Sequence, residues 1–284
     1  MPETRPTTPI TPPHGMYDIP ANDPAWKLYE GEAWINDPAI PQDVKNYAAM
    51  VSMVDHNVGQ VLSLLRELKL EKDTIVFFTG DNGGQDRFRS PKHPRGFFGP
   101  NVNPKNGAEF RGGKGNLFEG GLRIPYLVRW PGKIKPGQVN DLIFYQPDVL
   151  PTLAELTGAK APDDIDGISF LPTLLGQAQT KKHEMLYWEF RGQTAVRQGL
   201  WKAIQTKPDR PWELYDLSQD ISESTNVAAK HLERLAKMKA FAKASHEPVR
   251  AGKYLDPKRT RHERDRKAKW GTAKPQPRAR RPRK

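Results

Sequence analysis

Apolar residues fall at Tyr47, Met50, Val51, Val54, Val58, Val61, Leu62, Leu65 and Leu68, a spacing of three and four that predicts an amphipathic helix over residues 47–69. The next run is different. Residues 74–79 (TIVFFT) are β-branched and aromatic with no polar alternation, bounded by charge before and Gly80 after, which predicts a strand buried on both faces of a parallel sheet. Residues 124–130 predict a second strand, ended by the Pro131-Gly132 turn. Residues 142–156 predict a helix interrupted at Pro147 and Pro151 and stopped by Gly158. Beyond Gly176 the character changes. Residues 183–190 and 193–205 alternate like exposed strands, 212–217 add a third, and 227–245 return to helical spacing with Leu232, Leu235, Met238 and Phe241 inward. The patterns predict an α/β fold: a core sheet with flanking helices, then, past a boundary at 177–182, a small antiparallel sheet with a covering helix.

Outside these elements, residues 1–45 are rich in Pro, Thr, Asn and Asp, hold Trp26, Tyr29 and Trp34, and show no sustained period. Residues 85–109 form a Pro- and Gly-rich insertion with Arg87, Arg89, Lys92, His93, Arg95 and Lys105, longer than ordinary connections and so more often functional or mobile than inert. The formal net charge of +12 is unevenly placed: residues 250–284 hold 15 of the 45 basic and 3 of the 33 acidic residues, which leaves 30 of each before them. The body is neutral, and the tail, with little apolar content to offset ordering entropy, is expected to be disordered.

Composition narrows the picture further. A hydrophobic content of 36% and a mean hydropathy of −0.75 are polar for a self-sufficient core in a chain of 284 residues. With no cysteine there are no disulfides and no thiol metal ligands. No apolar run approaches the roughly 20 residues that span a bilayer, and the N-terminal residues carry no apolar signal segment. No membrane partner and no export signal are expected of the chain as it stands, which leaves its location open.

Two stretches offer chemistry. Asp81 and Asn82 follow the first strand, at the carboxyl end where open α/β sheets place ligands, and a carboxylate beside an amide oxygen suits a hard divalent cation. The same Asp-Asn-Gly-Gly also makes an ordinary turn. Lys114 lies between the pairs Gly112-Gly113 and Gly120-Gly121, a cation on a backbone that can approach an oxyanion closely, or else a solvated lysine in a flexible loop. The basic insertion fits an anionic substrate or solvent equally. His14 follows Pro12-Pro13 on a stiff backbone. Asp86, Glu109 and Glu119 are further carboxylates to consider around a metal.

These residues carry a resemblance. TGDNGG, then GGKGNLFEGGLRIPYLVRWPG, QPDVLPTLAELTGA, DGISFLPTLLG and WELYDLSQDISESTNVA resemble, in that order, the C-terminal half of a type I sulfatase of the alkaline-phosphatase-like superfamily, over roughly residues 8–245. The resemblance implies that Asp81 and Asn82 bind calcium and that Lys114 contacts the sulfate. TPITPPHGMYDIP resembles the family's Pro-His segment, which implies a sulfate contact for His14. It implies a sulfuric ester hydrolase acting on a sulfated small molecule or sulfated glycan, in a family whose members are typically exported. One departure is plain. The family's nucleophile is a formylglycine made from the Cys or Ser of Cys-x-Pro-Ser-Arg, and its metal site takes two further N-terminal aspartates; neither feature has a counterpart here. The reading is a truncated sulfatase with little activity alone, lacking its nucleophile, with the missing N-terminal half as a partner. Its parts are residues 1–176 from the catalytic domain, incomplete at the N-terminus, 177–249 as a small α+β subdomain, and 250–284 as a basic tail. The competing readings are a non-catalytic anion-binding remnant and a polyanion binder acting through the tail. Nucleic acid is disfavoured, because a basic run with so few aromatics more often solubilises a terminus.

Overall fold

A computed structural model describes residues 36–85, 91, 96, 99 and 101–247. His14, Trp26, Tyr29, Trp34, the insertion's Arg87, Arg89, Lys92, His93 and Arg95, Asp86, and the 250–284 tail lie outside the described residues.

The first helix, α1 (Gln42–Glu67), starts five residues before the predicted onset, because Val44, Ala48 and Ala49 continue an inward face and Gln42 bonds Asn46 one turn on at 2.9 Å. Its second half departs from expectation. Val51, Val54, Val61 and Leu68, on the apolar side that the spacing turns inward, are about half exposed, as is Leu64. A 3-10 turn at Glu71–Asp73 leads into β1 (Val76–Thr79). The expectation of a parallel, doubly buried strand is overturned. β1 pairs antiparallel with β2 (Tyr126–Arg129), with Phe78 opposite Leu127 and Thr79 opposite Tyr126. Only one face is covered. Phe77, Tyr126, Phe144 and Phe170 stack in edge and tilted contacts of 4.7–6.1 Å, while Phe78 and Leu127 on the other face stay exposed. The unbroken apolar run did report two apolar faces, but among the described residues a single layer meets them.

A short helix, α2 (Glu119–Leu122), precedes β2. The helix predicted from Leu142 starts later: a 3-10 turn at Gln146–Asp148 takes up Pro147, and α3 (Val149–Thr157) carries Pro151 in its first turn, where no backbone donor is lost. Gly158 caps it in the left-handed region at φ 71°. Asp148 is buried and ties three segments together. Its carboxylate accepts from Tyr145 N, Ile168 N and His183 Nε2 at 3.0, 2.7 and 2.8 Å. After α4 (Leu171–Leu174) the 177–182 stretch has no helix or strand.

The small sheet has four strands, not the three predicted: β3 (Leu186–Phe190), β4 (Gln193–Gln198), β5 (Trp201–Gln205) and β6 (Glu213–Asp216), all antiparallel in sequence order. The run 193–205 splits because Gly199, at φ 58°, turns the chain. Nor are these strands exposed. On one side Val196, Ala203 and Leu214 pack on Met238 and Ala242 of α5 (Leu232–Ser245). On the other, Ala195, Ile204 and Tyr215 pack on Leu117 and Phe118, which reach across from the segment before α2.

Truncating Met238, which is fully buried between α5 and the sheet, should lower stability by about 2–5 kcal/mol in Met238→Ala. Val61→Ala on the uncovered side of α1 should stay within about 0.5 kcal/mol. Urea unfolding of both variants checks this contrast.

Candidate functional site

The site is built where two loops meet edge to edge. The first follows β1: Gly80 O accepts from Gln146 Nε2 at 3.3 Å, Asp81 stands exposed, and Asn82, half-buried, donates its amide N–H to the Asp81 carboxylate. The second runs from Phe110 to Leu122. They are joined through main chain: Gly83 N donates to Gly121 O and Lys114 N to Gly84 O, both at 2.9 Å. Asp81, Asn82 and Lys114, far apart in the chain, thus share one loop pair.

The glycines do something other than the sequence suggested. A Cβ on Gly83 would lie 1.9 Å from Gly120 O, one on Gly120 2.3 Å from Gly112 O, and one on Gly121 2.1 Å from Asn116 O. Their missing side chains let backbone pack on backbone, so the loop is ordered by contact and not left pliable around a ligand. Gly112 adds the need for φ 72°. Lys114 projects from this packed base with its side chain exposed.

Behind the second loop sits a buried knot of charge. Glu119, Lys202 and Glu223 are each at most 1% exposed. The Glu119 carboxylate takes Lys202 Nζ at 3.0 Å, Arg197 Nη1 at 2.9 Å and Arg123 Nε at 2.5 Å. Lys202 also meets Glu223 Oε1 at 2.9 Å, and Glu223 Oε2 accepts the Glu119 backbone N–H at 2.6 Å. Burial alone would raise the Glu119 pKa, but Lys202, Arg197 and Arg123 reverse that and hold it down at about 2. Glu223 goes the other way: burial raises its pKa against the pull of Lys202, with the Glu119 carboxylate adding to the rise. Glu223 also holds a left-handed backbone at φ 52°, unusual for its type. Its carbonyl accepts from Arg111 at 2.9 Å, and the same guanidinium bonds Tyr215 Oη at 2.8 Å and lies 3.9 Å over Phe118. Glu119 is therefore spoken for internally and is no candidate metal ligand.

With this geometry in place, comparison with known proteins is decisive. Residues 9–159 match the family described as sulfatase, and residues 113–245 match N-sulphoglucosamine sulphohydrolase, C-terminal. The chain belongs to the sulfatase family. It is 41% identical over 170 residues to mouse (Mus musculus) steryl-sulfatase, covering 57% of this chain and 26% of that protein. Against the N-acetylgalactosamine-6-O-sulfatase of Bacteroides thetaiotaomicron it is 31% identical over 233 residues, covering 72% and 44%. The solved structure of Ps i-CgsB in complex with k-i-k-neocarrahexaose superposes with a TM-score of 0.61 at 25% identity, over 84% of this chain and 47% of that one. The chain thus spans less than half the length of these relatives. The α/β, alkaline-phosphatase-like sulfatase fold with its small C-terminal sheet is shared with them.

The structure brings Asp81, Asn82 and Lys114 into one loop pair and does not describe His14. Among the described residues no three His, Asp or Glu side chains converge as a metal cluster. Glu119 drew notice as a carboxylate for a metal, not as the centre of a charge knot, and Gln146, Gln193 and Glu223 were not singled out from the sequence. Lys202 carries a visible signal, a charge at an inward position of the apolar strand WKAIQ.

Two outcomes follow from this packing. Gly83→Ala should cost about 1–3 kcal/mol or more, because backbone must move to admit the methyl, whereas Gly59→Ala, in open helix surface, should gain about 0.5–1 kcal/mol; thermal unfolding compares them. The second concerns acid. Because folding lowers the Glu119 pKa from 4.5 to about 2, its contribution is full above 4.5 and is lost as pH falls toward 2. The stability gap between the natural chain and Glu119→Gln should narrow over that window when unfolding is followed at a series of pH values.

Proposed function

We propose that this chain supplies the anion- and cation-binding part of a sulfate-ester hydrolase. The observation that carries the reading is the direct docking of the Lys114 loop on the Asp81–Asn82 loop, which puts a cation with no ion pair among the described residues and a pair of hard oxygen donors on a common packed base. Lys114 would hold a sulfate oxygen, offsetting the charge that grows on it during ester cleavage. Asp81 and Asn82 fit a hard cation such as calcium in kind, since a carboxylate and an amide oxygen are typical ligands, and turning the Asn82 amide over would present its oxygen. In number they fit only in part. Calcium takes roughly 6–8 oxygens, so water or other residues would complete the shell. Bound calcium would add a fixed positive charge beside the sulfate. His14 remains the proposed second sulfate contact on the strength of the Pro-His resemblance.

The nucleophile is the missing part. The chain holds neither a cysteine nor a Ser-x-Pro-Ser-Arg run from which formylglycine could arise, so these residues are proposed to bind and orient the anion without attacking it, and the chain alone is proposed to have little activity. The uncovered apolar residues of α1, and separately Phe78 and Leu127 on the open face of the β1–β2 pair, suit the remaining sulfatase polypeptide as the partner that completes the sheet. For the substrate, a sulfated glycan is favoured: the bacterial relative is named for an N-acetylgalactosamine sulfate, and a solved relative is in complex with k-i-k-neocarrahexaose. The residue spans 1–176, 177–249 and 250–284 are retained as proposed units.

The test is reconstitution. The purified chain should hydrolyse 4-nitrophenyl sulfate at background, and adding a polypeptide with the remaining sulfatase segment and its formylglycine should give turnover. Lys114→Ala should then lower that turnover about 10²–10³-fold, the range for removing one charge-stabilising group, and Asp81→Ala should make it insensitive to added calcium. Turnover by the chain alone, or a restored rate indifferent to Lys114, would refute the assignment.

A further inference from the structure

The small sheet turns one set of alternating side chains toward the Lys114 loop. Gln193, Ala195 and Arg197 of β4, Lys202 and Ile204 of β5, and Tyr215 of β6 all lie on that side, as the contacts of Leu117, Phe118 and Glu119 with them show. Two of these contacts grip the loop's own backbone. The Gln193 side-chain amide both donates to Gly115 O at 3.1 Å and accepts from Leu117 N at 3.2 Å. A primary amide presents its donor and acceptor on one edge, so it matches this pair of main-chain groups in a single orientation. Four residues on, the Glu119 N–H is held by Glu223, and the Glu119 carboxylate by Lys202 and Arg197. Lys114 lies immediately before this stretch, its own N–H fixed to Gly84 O.

We propose that Gln193 and Lys202 are positioning residues, which from the small sheet hold the two ends of the 115–119 turn and so fix where the Lys114 ammonium stands. The functional part of this rests on Lys114 being the sulfate-binding cation. The physical reason is reach. A lysine ammonium rides on a flexible four-carbon stem and is exposed here, so its mean position is set by its backbone and little else. Catalytic and binding groups must be held within about 0.5 Å, and a misplacement of about 1 Å costs on the order of 100-fold. Within the turn, Asn116 Oδ1 accepts from Phe118 N at 3.3 Å and Asn116 N donates to Gly113 O at 3.2 Å, but Gly115, next to Lys114 and at φ 99°, offers backbone alone, so the sheet's grip adds to what the turn supplies.

The two anchors differ in kind, which makes them separable. Gln193 is half-buried at the start of its strand and acts by neutral hydrogen bonds. Lys202 is wholly buried and contacts two carboxylates at once; without it Glu119 would keep Arg197 and Arg123, but Glu223 would lose that cation beside the Glu119 carboxylate, an arrangement that like-charge repulsion and desolvation oppose.

The test uses the full chain in three variants, Gln193→Leu, Lys202→Met and Lys114→Ala, with amide hydrogen exchange by NMR and calorimetry with inorganic sulfate. In Gln193→Leu the Lys114 and Gly83 amides should exchange about tenfold faster or more through local opening, while the Ala203 and Leu214 amides of the sheet stay within about twofold. Sulfate affinity should fall about tenfold, short of the loss in Lys114→Ala. Lys202→Met should show the same local signature. If it does not fold, Gln193→Leu decides alone. Unchanged exchange at Lys114 in Gln193→Leu overturns the proposal, and so does a uniform rise across loop and sheet, which marks general destabilisation. Should exchange rise locally while sulfate affinity ignores both Gln193→Leu and Lys114→Ala, positioning of the loop stands and the sulfate role of Lys114 fails.

Discussion

Between Gly83 and Gly120 there is room for a hydrogen atom and nothing larger. That close approach lets the loop after β1 and the loop before β2 hydrogen-bond through their backbones, Gly83 to Gly121 and Lys114 to Gly84. Two segments that start about 30 residues apart become one surface, and Asp81, Asn82 and Lys114 all stand on it. The arrangement has a conformational cost, since glycines lose more freedom on folding than other residues. It also needs support from behind, because a main-chain contact of this size buries little apolar area.

That support comes from the far end of the chain. Leu117 and Phe118 insert into the small sheet's core, and Glu119 carries the connection on as charge. Buried ion pairs add little net stability, because desolvation offsets most of the attraction. Their value lies in direction: Lys202 lies within 3.0 Å of both Glu119 and Glu223 in a single arrangement, and a shifted loop would leave a charge alone in the interior. The raised Glu223 and lowered Glu119 pKa values are two sides of this arrangement, in which two carboxylates draw on one buried lysine. The small C-terminal sheet is therefore part of the candidate site's construction and not an appendage to it.

Local signals were legible in the sequence, long-range ones were not. The helix over α1, the turn glycines and the alternation of the small sheet are properties of neighbouring residues, and they survive in the structure with shifts of a few positions. The direction of β1 pairing could not be read, because an apolar run says that both faces are apolar and not which strand lies beside it. The split of β4 from β5 turned on Gly199, a residue the alternation passes over. Within the site, Asp81, Asn82 and Lys114 stood out by their glycine neighbours, although those glycines proved to serve packing. Gln193 and Glu223 were invisible: an amide opening a strand and a glutamate among serines acquire meaning only from partners 76 and 104 residues away.

The central claim is that the paired glycine loops form a preorganised seat for a tetrahedral anion. It is tested most directly by titrating sulfate into the 15N-labelled chain and following backbone amide shifts. Saturable shifts at Gly83, Gly84, Lys114 and Gly115, reversed by removing sulfate, are the predicted result. Saturation with those four amides unmoved, and shifts confined to the basic residues beyond Arg250, would contradict it.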